Sequence, residues 1–274
     1  MITLLRSETR ICLALPSLVG AFVALCFCST SHAEDALSLR VVTYNIHHGV
    51  GVDGKLDLNR IAEVIRAAKA DLVALQEVDS GTTRTGQVDQ PTRLAELTGM
   101  AVVFGDNIPF QGGRYGNAVL TRLPIVRHTN HKLPSHYNGE QRGVLEVELQ
   151  PRELSGPLVF LATHFDYRRG SEERRASAKQ INAWADQRAD VPMVLAGDLN
   201  AVPDSPTMRT LQEQWQPTAP VDLFTFPAQQ PNRQIDYILL RPSDRWQIIE
   251  ATVLEDDVAS DHRGILAVVE LVVR

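Results

Sequence analysis

The sequence predicts a single α/β domain in which two β-sheets pack together with helices on the outside. Three observations point there. About ten segments have strand length and alternating or β-branched content, whereas only a few stretches carry a helical period. The segments fall into two similar halves. No low-complexity linker or internal repeat divides them.

The elements follow in order. Leu37–Ile46 alternates and is rich in β-branched residues, so it reads as a strand. Asp57-Leu58-Asn59 opens a helix whose Leu58, Ile61, Ile65 and Ala68 share one face, opposite Glu63, Arg66 and Lys69. Leu72–Val78 is an apolar strand running into a polar loop, Asp79–Gln90. Pro91 precedes a short helix to Thr98, and Ala101–Phe104 is a strand. A loop containing Gly105, Gly112, Gly113 and Gly116 leads to the strand Asn117–Thr121, and Ile125–Leu133 continues the sheet. In the second half Gly143–Leu149 and Leu158–Phe165 are strands joined through Pro151–Pro157. Ser171–Arg188 is the longest helix, with Glu172 and Glu173 in its first turn. Pro192–Ala196 is a buried strand, Pro206–Glu213 a short helix and Pro217–Pro231 a proline-spaced loop. Ile235–Leu240, Trp246–Leu254 and Ile265–Val273 close the chain as strands.

The first 33 residues form a separate object. Arg6 and Arg10 precede an uncharged apolar stretch, Ile11–Cys28, and Ser31-His32-Ala33 supplies the small residues a signal peptidase requires. The expectation is an exported protein, periplasmic or secreted, cleaved to start at Glu34. The alternative is a membrane anchor over 11–28, interrupted by Pro16, Ser17 and Gly20. Neither Cys26 nor Cys28 follows the small residue of a lipid-anchoring box. All three cysteines lie in this segment, so residues 34–274 offer no disulfide, thiolate metal site or cysteine nucleophile. With 27 basic against 33 acidic residues the formal charge is -6, which excludes a protein holding nucleic acid by bulk charge alone.

Several apolar strands end in a polar residue that stability does not require. Asn45 and His47 close the first strand on one face, Glu77 the second, and His164 the strand Leu161-Ala162-Thr163-His164. Asp198 and Asn200 end Ala196-Gly197-Asp198-Leu199-Asn200. Asp236 sits in Ile235-Asp236-Tyr237-Ile238, and Asp261-His262 follows Ser260. A buried carboxylate costs several kcal/mol unless it is paired or metal-bound. A site gathered at one end of the sheets gives these residues a common purpose.

Taken together and in this order, the motifs Thr43-Tyr44-Asn45-Ile46, Leu75-Gln76-Glu77-Val78, Gly116-Asn117-Ala118-Val119-Leu120-Thr121-Arg122, Thr163-His164, Gly197-Asp198-Leu199-Asn200, Ile235-Asp236-Tyr237 and Ser260-Asp261-His262 resemble the endonuclease/exonuclease/phosphatase superfamily. They span essentially all of the chain from Leu39 onward. The resemblance implies a DNase I-like, four-layer αββα sandwich with the site at one rim. It implies that Glu77, with Asn45 and Asp261, holds Mg²⁺ or Mn²⁺ through oxygen ligands. His262 would be fixed and polarised by Asp236. Asp198 would orient or deprotonate the attacking water, Asn200 would donate to the charge developing on phosphorus, and His164 would serve the leaving-group side.

Departures from the family pattern matter too. His47 stands where the abasic-site branch has an acidic metal ligand, which suggests a phosphate contact. Asp79 stands where the DNase branch has a basic side chain, and Tyr115-Gly116 where it has a glutamate supporting the histidine. Both lean away from duplex DNA. His47, Asn117, Arg84 and Arg142 are candidate substrate contacts. The resulting expectation is a divalent-metal phosphoesterase acting on a lipid headgroup or small organic phosphate in preference to nucleic acid, with no obligate protein partner evident. The alternatives are a secreted nuclease and a non-catalytic binding module on the same fold.

Overall fold

A computed structural model describes residues 36–137, 139–219 and 223–273. The expected export segment lies outside the described residues. Strand β1 (Ala36–Asn45) pairs in parallel with β2 (Leu72–Ser80), and helix α1 (Leu58–Ala67) makes the crossover. The helix starts where it does because the Asp57 side chain accepts hydrogen bonds from the Asn59 and Arg60 backbone N–H groups. Leu58, Ile61, Ala62 and Ile65 form its buried stripe. Helix α2 (Gln90–Thr98) opens on Pro91 and stops at Gly99, whose φ of 66° suits glycine.

Strands β3 (Ala101–Phe110) and β4 (Gly113–Thr121) form a long hairpin, not the loop expected over Gly105–Gly116. Gln111 and Gly112 both take positive φ, 45° and 84°, as a two-residue turn of this hand requires. At Gly116 a Cβ would stand 2.0 Å from the Gly105 carbonyl oxygen. The glycines that looked like loop markers therefore serve close strand contact.

The second half contains β5 (Ile125–Lys132), β6 (Gly143–Leu149), β7 (Leu158–His164), α3 (Glu172–Asp186), β8 (Met193–Asp198), α4 (Pro206–Gln212) and the two-residue β9 (Gln216–Pro217). After it come β10 (Asp236–Arg241), β11 (Trp246–Val253) and β12 (Ile265–Val272). One sheet has the order β11-β12-β1-β2-β4-β3 and the other β5-β6-β7-β8-β10-β9. Leu39, Val41, Ala74 and Val119 of the first sheet share a core with Leu145, Phe160, Ala196 and Ile238 of the second. The outer face of the first sheet packs on α1 and α2, that of the second on α3 and α4. The result is the four-layer αββα sandwich.

Each sheet carries one parallel pair, β1 with β2 and β7 with β8. Their carboxyl ends meet at one rim. This is why residues separated by some two hundred positions in sequence can act together.

Candidate active site

Register sets the first row. His164 lies opposite Asp198 on the parallel β7–β8 pair, and Asp198 lies opposite Asp236 on the antiparallel β8–β10 pair. Three functional groups thus occupy neighbouring places across the second sheet. From the first sheet, Asn45 ends β1, and a register shift between Leu75 and Val78 re-aims Glu77, whose φ is 59°. The loop before β12 is tied to the same rim: Ser260 Oγ donates to the Asn45 carbonyl at 2.7 Å and accepts the His262 N–H at 3.2 Å.

His262 Nδ1 donates to Asp236 Oδ2 at 2.9 Å, and Thr225 Oγ1 donates to the same oxygen at 2.5 Å. The other imidazole nitrogen, Nε2, lies 3.8 Å from Asp198 Oδ2. Burial alone would lower the basicity of His262, but the Asp236 charge and hydrogen bond, with Asp198 and Asp261 behind them, raise it to about 10. His262 is therefore an imidazolium at neutral pH. Burial and the Asp236 charge push the Asp198 carboxyl up to about 7, against the opposing effect of His262, the Asn200 N–H and Asn45. A carboxylate poised near neutrality beside a fixed cation suits deprotonation of water.

His164 differs in kind. Arg142 Nη1 donates to its Nδ1 at 3.0 Å, and a guanidinium can only donate, so the proton of a neutral ring sits on Nε2. Burial first, and the Arg142 charge second, hold the His164 basicity well below the ordinary value. This histidine is neutral. Its Nε2–H lies 3.4 Å from Asp198 Oδ2 and 3.1 Å from Asn200 Nδ2, which itself donates to the Phe165 carbonyl. Two N–H donors side by side cannot satisfy each other. An anionic oxygen placed before both accepts from each.

Glu77 Oε1 accepts from Asn45 Nδ2 at 3.1 Å, and Oε2 lies 3.8 Å from His48 Nδ1. Burial opposes ionisation of Glu77, but contacts with His48, His164, Asn45 and His47 outweigh it and hold the carboxyl well below its usual range. A carboxylate whose ionised form is favoured, beside a buried His48 Nδ1 that has no hydrogen-bond partner, fits a divalent cation. Asn45 is engaged otherwise than expected of a ligand. Its Oδ1 accepts the His47 N–H, and its Nδ2 also reaches Asp198 Oδ2 at 3.2 Å, so the amide organises two carboxylates. Asp261 belongs to neither cluster of metal-competent groups among the described residues, His47-His48-Glu77 and Asp198-Asp236-His262. Asn45 touches Glu77 directly, and Ser260, the neighbour of Asp261, is bonded to the Asn45 carbonyl, so the three residues share one rim.

A model of the endonuclease/exonuclease/phosphatase family matches residues 42–262. The chain belongs to this family. Its members are generally hydrolases of phosphoester bonds and generally use a divalent metal. The chain is 28% identical over 172 residues to the uncharacterized protein YbhP of Escherichia coli K12, covering 60% of this chain and 67% of that protein. It superposes on an endonuclease/exonuclease/phosphatase from Beutenbergia cavernae with a TM-score of 0.69 and 28% identity, over 85% of this chain and 72% of that one. A mannosyl-6-phosphatase of Bacteroides thetaiotaomicron gives a TM-score of 0.70 at 18% identity, over 84% and 99%, a likeness of fold alone.

Within this family frame, a pocket of about 350 Å³ gathers Glu77, His164, Asp198, Asn200, His262 and Arg142. Arg142 is buried and bonded to His164, not a free loop arginine. Asn117 is absent from the lining. It is buried, and its Nδ2 donates to the Gly143 carbonyl, tying β4 to β6 across the sandwich. Arg84 is committed elsewhere as well. Its Nε and Nη2 grip both oxygens of buried Asp79, and its guanidinium lies over Phe110. His47 turns Nδ1 toward the Val50 carbonyl at 3.0 Å.

Sequence reading missed Glu140, Tyr167, Phe226 and Arg233, and gave Tyr115 and Ile235 no contact role, though all six complete the pocket. Arg233 lies over the Phe226 ring, which also packs on His262. These residues sit in loops or on a hairpin without any spacing that marks them, so composition held no signal for them.

Proposed function

We propose that this chain is an exported, divalent-metal-dependent phosphoesterase that hydrolyses a lipid-headgroup or small organic phosphate ester by in-line attack of water. The observation that carries the reading is the Asp236–His262–Asp198 array facing the His164 and Asn200 donors across one pocket. Asp198 takes the proton of the attacking water. His262, held by Asp236, and the N–H groups of Asn200 and His164 receive the negative charge of the phosphoryl oxygens. His164 contributes a hydrogen bond and not a proton, because burial and then the Arg142 charge keep it neutral, and the departing ester oxygen takes its proton from water. A bound divalent ion near Glu77 would neutralise phosphate charge as a Lewis acid.

The pocket volume falls in the range of small-ligand sites. The acidic balance of the chain supports a small substrate over a long polyanion. The fold also carries a mannosyl-6-phosphatase, and the human Nocturnin catalytic domain, whose structure holds a sulfate anion. A tetrahedral oxyanion suits the donor arrangement here. The test is a metal-supplemented panel of sphingomyelin, phosphatidylinositol, inositol phosphates, sugar phosphates, RNA and plasmid DNA. Release of phosphate or headgroup with no plasmid nicking is expected. Nicking as the fastest activity would replace the reading with a nuclease, and no hydrolysis of any member would leave a binding module.

A further inference from the structure

The turn after β1 is unusual. His47 and His48 adopt φ of 45° and 44°, and Glu77 beside them adopts 59°. Side chains other than glycine are strained in such backbone and persist there only when surroundings over-determine them. Here they do: Gly49 N–H donates to the Ile46 carbonyl, Val50 N–H to that of His47, and Gln90 Nε2 to that of His48 at 2.7 Å. The strain brings one ligand atom from each of His47, His48 and Glu77 within 4.8 Å of the other two.

The chemistry of those atoms is specific. The Val50 carbonyl can only accept, so His47 Nδ1 carries the proton and Nε2 keeps its lone pair, the arrangement usual in a metal-bound histidine. His48 Nδ1 is buried and unpartnered, 3.8 Å from Glu77 Oε2. That separation is too long for a hydrogen bond. Two ligands each about 2.1 Å from one ion stand about 3.0–3.4 Å apart, so the His48–Glu77 pair needs under about 1 Å of movement to close on a cation.

We infer that His47, His48 and Glu77 form a nitrogen-rich site for a later first-row transition cation of the Co²⁺ or Zn²⁺ class, in preference to Mg²⁺. Imidazole nitrogen suits these ions, whereas Mg²⁺ keeps to oxygen ligands and water. Asn45 then serves from behind by holding Glu77 Oε1. The inference rests on the metal-dependent reading of the same pocket but is tested without turnover.

Purified protein stripped with chelator is titrated with Co²⁺ and followed by its visible d–d absorption, then challenged with a hundredfold excess of Mg²⁺. One Co²⁺ per chain, a spectrum unlike aquated Co²⁺ and no displacement by Mg²⁺ are expected. His47→Asn and His48→Asn keep a residue that tolerates positive φ. Each should weaken Co²⁺ binding more than the roughly tenfold minimum seen for outer partners, with an unchanged melting curve. His128→Ala, an exposed histidine outside the cluster, should change nothing. An aquo-like spectrum, displacement by Mg²⁺, or unaltered affinity in both histidine variants overturns the site. Hydrolysis supported by Mg²⁺ with no bound Co²⁺ would sink it and spare the phosphoesterase reading. Tight Co²⁺ binding without hydrolysis of any ester would do the reverse.

Discussion

Replacing Asp236 by asparagine removes a buried negative charge 2.9 Å from His262 Nδ1 while keeping the side-chain volume. At about 4 Å between charge centres and an effective dielectric near 20, that charge stabilises the imidazolium by about 4 kcal/mol. This corresponds to about three decades in proton affinity. His262 stands at about 10, so in Asp236→Asn it should titrate near about 7 or below, since burial then acts unopposed by its strongest partner. The sign is fixed: activity needs the charged ring, is lost as pH rises through its pKa, and so fails at lower pH in the variant. The Asp198 carboxyl, at about 7, governs the acid limb in the opposite sense. The alkaline limb of the bell-shaped kcat profile should therefore move to lower pH, and the acid limb should follow it down, because the Asp236 charge that raises Asp198 is removed as well. At pH 8 the protonation loss alone is about tenfold, and with loss of orientation we expect about 10²–10³ overall. His262→Ala should cost a similar factor, and the double variant little more, because residues acting as a unit are non-additive. Losses that multiply, together with an unmoved alkaline limb, would show that the two residues act separately and refute the coupling.

Arg142→Ala should leave His164 Nδ1 without its donor and let the ring protonate at higher pH; we expect a loss of about tenfold in kcat and an acid limb displaced upward, while an unchanged profile would free His164 from Arg142. Glu77→Gln should lower divalent-metal affinity and activity with the fold intact, and a variant fully active at limiting metal would remove Glu77 from the site. Phe160→Ala empties a fully buried place between the sheets and should cost about 3–5 kcal/mol in urea unfolding; a loss below about 1 kcal/mol would contradict the packing described. Intact-mass analysis of the exported protein should begin at Glu34, and retention of the first 33 residues would indicate an anchor.

The layered sandwich was legible because its strands are period-two or wholly apolar and its helices amphipathic, signals that local sequence carries. The expected loop at Gly105–Gly116 failed for a physical reason: glycine marks both turns and close strand contacts, and only the partner strand tells them apart. Polar residues at the ends of apolar strands correctly pointed to a shared rim, since His164, Asp198 and Asp236 fall in register there. Arg84 and Asn117 were illegible as structural residues, because their partners, Asp79 and the Gly143 carbonyl, depend on tertiary contacts. The aromatic and charged pocket wall was equally hidden.

Strand β12 has a consequence for biosynthesis. It lies inside the first sheet between β11 and β1, with Val272 paired to Ala36, and the His262 loop that precedes it is stapled to the end of β1 by Ser260. A nascent chain still lacking its last few dozen residues has neither His262 nor the strand that closes the sheet. Such long-range pairing forms late and slowly. The emerging polypeptide can therefore assemble helices and hairpins early, but the His262–Asp236 pair and the inner strand of the first sheet come together only after residues 260–272 have been made. Completion of the first sheet and assembly of the pocket thus become a single event.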